Sequence, residues 1–302
     1  MPNIRLSTQR AILLTAWCAI AVGCRTLSNR GPVSQSVATC RQLTQQGTNA
    51  MDRGDWKRAE SLLARAVQTS ATDADARRNY AEALWHRGAR QEALTQLEEA
   101  RRLAGEDPGL AVRTGELYLA LGRTADASQM VDEALRLDPK FAPAWALRGR
   151  VAGASGQTQA ALANYQRALG YAPDDRDTTI LVAEAYRQLN EPQRALAALE
   201  SVADHYSPGE EPQQVLILEG LALGALGRSD DAARRLSQAA RRDSPTPEIL
   251  CRLAEAELLA GRAPEAQHAL QHALALDPDH AASRSLAARL AMAPGAAPTI
   301  TR

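Results

Sequence analysis

Residues 140–173 read KFAPAWALRGRVAGASGQTQAALANYQRALGYAP, and this one stretch carries every recurring mark of the chain. Gly149 precedes Gly156 by seven residues, Ala161 follows it by five, Tyr165 comes four further on and Ala168 three beyond that. Working outward, the turn glycine returns every 34 residues at Gly54, Gly88, Gly122 and Gly156, and the spacing resumes at Gly227 and Gly261. Five residues after these stand Ala59, Ala93, Ala127, Ala161, Ala232 and Ala266, and Ala195 keeps the register where Asn190 replaces the glycine. The next two columns hold Leu63, Leu97, Val131, Tyr165, Leu199, Leu236 and Leu270, then Ala66, Ala100, Ala134, Ala168, Val202, Ala239 and Ala273. Offsets of four and three trace one face of a helix. Seven residues before each turn lies another small residue, Gly47, Ala81, Gly115, Gly149, Ala183, Gly220 or Ala254, where a first helix must approach a second. A period of this length is the mark of stacked helix pairs.

The pattern resembles the tetratricopeptide repeat, with Trp145, Gly149, Gly156, Ala161, Tyr165, Ala168 and Pro173 as its best-matching unit and Asp277-Pro278 closing the last. The resemblance covers about residues 40–280 as seven units. It implies an all-α fold, a right-handed superhelical solenoid of about seven helix hairpins with a C-terminal capping helix. Ala71 and Gly105 stand where the first two units would close with proline, and Ala89-Arg90 replaces an acidic-aromatic pair. One hairpin cannot bury both of its apolar faces, so hairpins stack and the ends need caps. Residues 279–293 read as such a cap, with Leu286 and Leu290 turned to the array and Pro294-Gly295 as its stop; residues 294–302 read as a disordered tail. Between Asn190 and Gly227 the period lengthens to 37, an insertion near 205–212 that is a bend, a minor subdomain boundary or a tolerated surface loop.

The N-terminus carries a second signal. Arg5 and Arg10 precede the apolar run Ala11 to Val22, which ends at Gly23-Cys24. Charge, a short apolar core and small residues in that order predict a signal peptide over 1–23, too short to span a bilayer comfortably. Ala21-Val22-Gly23-Cys24 resembles a bacterial lipobox, which implies cleavage between Gly23 and Cys24 and lipid on Cys24; secretion after Gly23 and an uncleaved anchor are the alternatives. By resemblance to lipoproteins, Arg25 in place of aspartate favours the outer membrane of a two-membrane host. Residues 24–39 then serve as lipid attachment and a tether rich in Ser, Gly and Pro, with a mean span of about 20 Å.

Composition narrows the function classes. The chain has 35 basic and 35 acidic residues, and loss of residues 1–23 leaves 33 against 35, a balance of −2. Nucleic-acid binding asks for a basic surface, so no nucleic-acid partner is expected. Cys40 and Cys251 fall in the first and seventh units, too far apart in a stacked array for a disulfide. His268 and His272 have the i, i+4 spacing of a metal site, with His280 nearby, but the core face belongs to Ala266, Leu270 and Ala273, so the pair points outward and no metal is expected. No glycine-rich phosphate loop or nucleophile elbow occurs, and neither an enzyme nor a cofactor is expected.

Function is therefore sought on the concave face, lined in this family by the first helix of each pair. The register puts Arg78, Glu82, Trp85 and His86 there, then Val112 and Glu116, then Arg150, Ile180, Glu184 and Arg187. In the last two units the face turns apolar, with Ile217, Leu221, Cys251 and Leu258. Trp85 is the expected hot spot, since an aromatic ring offered to a groove is a frequent anchor; packing against its neighbouring helix is the alternative. Val215, Leu216, Ile217, Leu218, Leu221, Leu223 and Leu226 make one helix apolar nearly all round, so it needs cover on more than one side, from a partner, a second copy or the C-terminal cap. A carboxylate clamp of the kind some repeats use is incomplete: Asn79 and Arg113 match, whereas Thr44, Thr48 and Gly109 depart. The expectation is a lipid-anchored scaffold at the cell envelope, facing the periplasm, that binds protein or peptide partners in assembling pilus, secretion or outer-membrane machinery. A scaffold for cell-wall enzymes, and a secreted or periplasmic solenoid of structural or self-associating role, are the rival readings.

Overall fold

Each helix pair turns through a residue with positive φ, and the one turn without glycine obeys the same rule. The computed structural model describes residues 35–207 and 209–291. Gly54, Gly88, Gly122, Gly156, Gly227 and Gly261 have φ between 73° and 83°, and Asn190, at φ 59°, is the only positive-φ residue other than glycine among the described residues. The residue after each turn donates its N–H back to the helix: Gln157 to the Ala152 carbonyl at 3.0 Å, Glu191 to Tyr186 at 2.8 Å, Arg228 to Leu223 at 3.0 Å. Orphan carbonyls at the helix end are satisfied this way, and the left-handed residue is what aims the N–H. Asparagine tolerates that conformation at a cost glycine avoids. Asn190→Gly is accordingly expected to raise stability by about 0.5 kcal/mol and Asn190→Ala to lower it by about 1 kcal/mol; thermal unfolding of the two variants in opposite directions is the check.

The fold is all-α, with fifteen helices and no strand among the described residues. The chain forms two compact units dividing at Gly105–Glu106, not at the 205–212 insertion. Unit 1 holds α1 (Gln35–Asp52), α2 (Trp56–Thr69), α3 (Ala74–His86) and α4 (Arg90–Ala104). Residues 35–39, expected to end the tether, are helical and open α1, because Cys40 and Leu43 are needed against Ala66 and Ala76 to bury the first face of the stack. The segments expected to be a signal peptide (1–23), the lipid attachment at Cys24, the tether up to residue 34, the last two residues of the 279–293 cap and the 294–302 tail lie outside the described residues. No described helix is long and apolar enough to cross a membrane.

Unit 2 holds five hairpins, α5 (Pro108–Ala120) with α6 (Thr124–Leu137), α7 (Ala142–Ala154) with α8 (Thr158–Tyr171), α9 (Arg176–Gln188) with α10 (Pro192–Ala203), α11 (Gln213–Ala225) with α12 (Ser229–Arg242) and α13 (Pro247–Leu259) with α14 (Ala263–Leu276), followed by α15 (Ala281–Ala291). Three of the five first helices of this unit start on side-chain caps: the Asp107 carboxylate accepts from the Gly109 and Leu110 N–H groups, Asp175 from Asp177 and Thr178, and the Thr246 hydroxyl from Ile249. Small residues let the paired helices close up. A methyl group on Gly149 would sit 2.3 Å from Tyr165 Cε1, and one on Gly220 would sit 2.6 Å from Leu236 Cγ. Within this unit each hairpin also packs on the next: Ala111, Val131 and Ala134 meet Ala144 and Leu147 of the following pair, and Ile180, Leu199 and Val202 meet Val215 and Leu218. At the end of the stack Leu286 is buried against Ala254, Ala266 and Leu270, with Leu290 partly buried beside it.

The apolar helix is α11, and neighbouring hairpins account for its cover. Val215 and Leu218 pack on α9 and α10, Leu216 meets Ala239 and Ile249, and Leu223 meets Ala232, Leu236 and Ala256. α15 takes no part in this, because it closes α13 and α14 instead. The insertion before α11 is tied down rather than loose. Arg242 donates to the Gly209 and Glu210 carbonyls at 3.1 and 2.8 Å, and Tyr206 packs beside the Ile180 cluster under the Arg176 guanidinium.

Candidate partner-binding face

Within unit 2, α5 touches α7, α9 touches α11, α11 touches α13 and α13 touches α15, whereas the second helices make no comparable contact with one another. A row whose members approach lies on the inside of a curve, and a row whose members spread lies on the outside. First helices thus line the inner face of this unit. The repeat period then brings side chains 34 residues apart to neighbouring rungs: Arg150 Nη1 donates to Glu116 Oε1 at 2.9 Å, and Arg113 Nη1 to Glu116 Oε2 at 2.8 Å. One helix further, Glu184 accepts from Arg187 Nε at 2.7 Å and Nη2 at 2.6 Å, and from Gln188 at 3.0 Å.

Burial disfavours the Glu184 carboxylate, but the hydrogen bonds from Arg187 and Gln188 outweigh it and hold the carboxyl below its ordinary value. Arg187 is held above its own ordinary value by the same bonds, against its burial and the repulsion of Arg252 on α13. Half-exposed pairs of this kind add little to stability. Together they set acidic and basic groups side by side along the first helices.

In unit 1 the first-helix residues gather differently. Arg78 is exposed and pairs with Asp75 at 3.1 Å, and Glu82 Oε1 lies 3.2 Å from His86 Nε2. The His86 ring stacks on Trp56, centroids 3.7 Å apart and planes 7° from parallel. Trp85 is half-buried, with the Arg90 guanidinium 5.4 Å over its ring, so part of the ring packs and part is open. Trp56 was not among the sequence candidates, because it opens a second helix rather than occupying the first-helix column.

The last two hairpins keep Ile217, Leu221 and Leu258 half-buried on their first helices. Leu259 beside them is 72% exposed. Three residues assigned to the groove by register belong to the core instead. Val112, Ile180 and Cys251 are buried because the next first helix, or α15 in the case of Cys251, lies over that column. The Cys40 and Cys251 thiols are free and buried, and burial pushes both above the ordinary thiol value, which makes them poor nucleophiles. His268 and His272 are exposed, while His280 contacts Ser283 Oγ at 2.8 Å and Glu248 at 3.3 Å. Of the clamp residues, Thr44 and Thr48 bond back to the carbonyls of their own helix, and Arg113 is engaged with Glu116.

One charged group escaped the sequence reading altogether. Glu219, on apolar α11 between Leu218 and Gly220, is 1% exposed, and Arg235 Nε of α12 stands 3.0 Å from its Oε2. An acid in a helix whose other residues after Gln214 are all apolar or glycine was the available signal.

Comparison with known proteins agrees with this geometry. A tetratricopeptide repeat model matches residues 50–110, 84–151 and 154–214, and a second of the same description matches 217–281. Protein O-mannosyl-transferase Tmtc3 of Drosophila melanogaster is 28% identical over 138 residues, 44% of this chain, and the chain spans only 15% of that relative's length. Among solved structures, a tetratricopeptide repeat protein from Parabacteroides merdae superposes with a TM-score of 0.61 at 15% identity, over 85% of this chain and all of that one. PilW, a type IV pilus biogenesis factor, gives 0.59 at 19% identity over 67% of this chain and 92% of its own. At such identities the likeness is one of fold. With its repeats matched over more than half its length and the same left-handed turn closing each hairpin, the chain belongs to the tetratricopeptide repeat family.

Proposed function

We propose that this protein is a non-catalytic scaffold that binds protein or peptide partners on its first-helix face, held at the cell envelope by lipid on Cys24. The observation that carries the binding role is the charged ladder of unit 2, where Arg150 bridges to Glu116 across one repeat and Glu184 holds Arg187 and Gln188 on the next. Such a ladder recognises a partner by charge register, with Ile217, Leu221 and Leu258 supplying an apolar end. In unit 1, Arg78, Glu82, Trp85 and His86 form a separate recognition patch. The envelope assignment rests on the order of charge, apolar run and Gly23-Cys24 in the sequence. Assembly of a pilus, secretion or outer-membrane complex is the process we assign to it; PilW, with the same fold, is a pilus biogenesis factor.

Two arms test this. Fractionation of cells making Cys24→Ala is expected to move the protein from membrane to soluble fractions, and an unchanged distribution removes the lipid anchor. Crosslinking in intact envelopes is expected to yield a specific adduct that Glu116→Ala with Arg150→Ala, or Trp85→Ala, abolishes while helix content is kept. An adduct indifferent to all three substitutions removes the first-helix face.

A further inference from the structure

Because second helices spread while first helices close, the outer face of unit 2 is furrowed, and one furrow ends in a buried carboxylate. Between α10 and α12, with α11 as its floor, lies a cavity of about 280 Å³. Leu196 and Leu223 form apolar walls, Glu219 stands at the base and Glu200 at the rim. The Glu219 side chain is 2% exposed and its Oε2 has no hydrogen bond among the described residues. Arg235 Nε is near enough to attract it, at 3.0 Å, but is not directed along a hydrogen bond, and that guanidinium is shared with Glu211 at 3.8 Å and Gln238 at 3.2 Å. Glu211 is itself buried. The remaining arginines of the cavity, Arg228 and Arg234, both pair with Asp231. Glu200 has no ion pair among the described residues.

This neighbourhood is short of positive charge where it is least able to do without it. Two buried carboxylates share one arginine, a third carboxylate stands nearby, and a buried acceptor without a donor is costly. Burial, with Glu211 and Glu200 beside it, pushes the Glu219 carboxyl above the usual carboxylate range despite Arg235. What the cavity lacks is a compact cation with several donors at the end of an apolar stem. A lysine side chain has that form: its methylenes lie on apolar walls while its ammonium donates in three directions.

We propose that the cavity is a socket for a lysine side chain of a partner protein, the stem along Leu196 and Leu223 and the ammonium between Glu219 and Glu200. This is a second docking point, on the face opposite the first-helix ladder, and it is independent of that ladder. A partner segment carrying the lysine would reach it from the outer side of the array, over α10 and α12.

The test uses two peptides, acetyl-Ala-Ala-Lys-Ala-Ala-amide and its counterpart with norleucine in place of lysine, added to the full-length chain with labelled leucine methyls. The lysine peptide is expected to shift the Leu196 and Leu223 signals saturably and the norleucine peptide to leave them in place. Glu219→Gln, a neutral replacement of the same shape, is expected to keep the fold and weaken the lysine peptide about tenfold, the loss of one charge-assisted hydrogen bond. Glu184→Ala, on the inner ladder, is expected to change nothing here. Equal response to both peptides, no response to either, or full affinity in Glu219→Gln each overturns the socket, and none of these bears on the first-helix face.

Discussion

Gly149→Ala is expected to lower the stability of the chain by about 1 kcal/mol, although alanine is the better helix former. Propensity alone favours alanine over glycine inside a helix by about 1 kcal/mol. Against this, the added methyl would lie 2.3 and 2.4 Å from two carbons of the Tyr165 ring and 3.0 Å from the Ala161 carbonyl oxygen. The ring has little freedom, since Tyr165 is packed among Ala161, Leu162, Val182 and Ala185, and the carbonyl belongs to the facing backbone. Overpacking of this kind costs about 1–3 kcal/mol, so crowding exceeds the propensity gain. Gly153, one turn along the same helix, supplies the control: a methyl there meets nothing closer than 3.8 Å, and Gly153→Ala is expected to stabilise by about 0.5–1 kcal/mol. Circular-dichroism melts of the two variants should move apart, and a shared direction would sink the account of the hairpin crossing.

Arg235→Met is expected to cost more, about 2–3 kcal/mol at neutral pH. It leaves Glu219 buried without its counter-charge, and breaking one side of a buried pair is among the larger penalties a single substitution brings. The loss is held to this size because Arg235 is about one-third exposed and Glu219 can take up a proton. Glu219→Gln in the same chain is expected to restore most of it, and the non-additivity of the double-mutant cycle measures the pair. The pH dependence has a definite sign. The Glu219 carboxyl holds its proton more tightly in the folded than in the unfolded chain, first through burial and then through Glu211 and Glu200. Its contribution to stability is therefore fully present below the ordinary value of 4.5 and is lost as pH rises through the elevated one. Glu219→Gln removes that slope, and Arg235→Met steepens it. Melting temperatures of the three proteins across acid and neutral pH separate these outcomes.

The hairpins were legible because their signals are local. A left-handed turn needs glycine or asparagine whatever surrounds it, and Asn190 could be placed in the glycine column from spacing alone. The alanine and leucine columns follow from the 3.6-residue period of one helix against its partner. Sequence could not tell which part of a first helix stays open, because that depends on how far the next hairpin overlaps it. Val112, Ile180 and Cys251 stand one turn before Glu116, Glu184 and Glu255 on the same helices, yet the former three are buried and the latter three are only half-buried.

From the chain alone came an all-α repeat of the tetratricopeptide kind, its turns, its crossings and the candidate inner face, since each rests on contacts between residues close in sequence. Only the tertiary structure decided that the compact units part at Gly105–Glu106 and that α11 is covered by its neighbouring hairpins. Only there, too, does Glu219 meet Arg235 beside a cavity walled by Leu196 and Leu223. Those features arise where one hairpin is laid on the next. The angle of that stacking is set by the sum of many side-chain volumes, and no single column of the repeat records it.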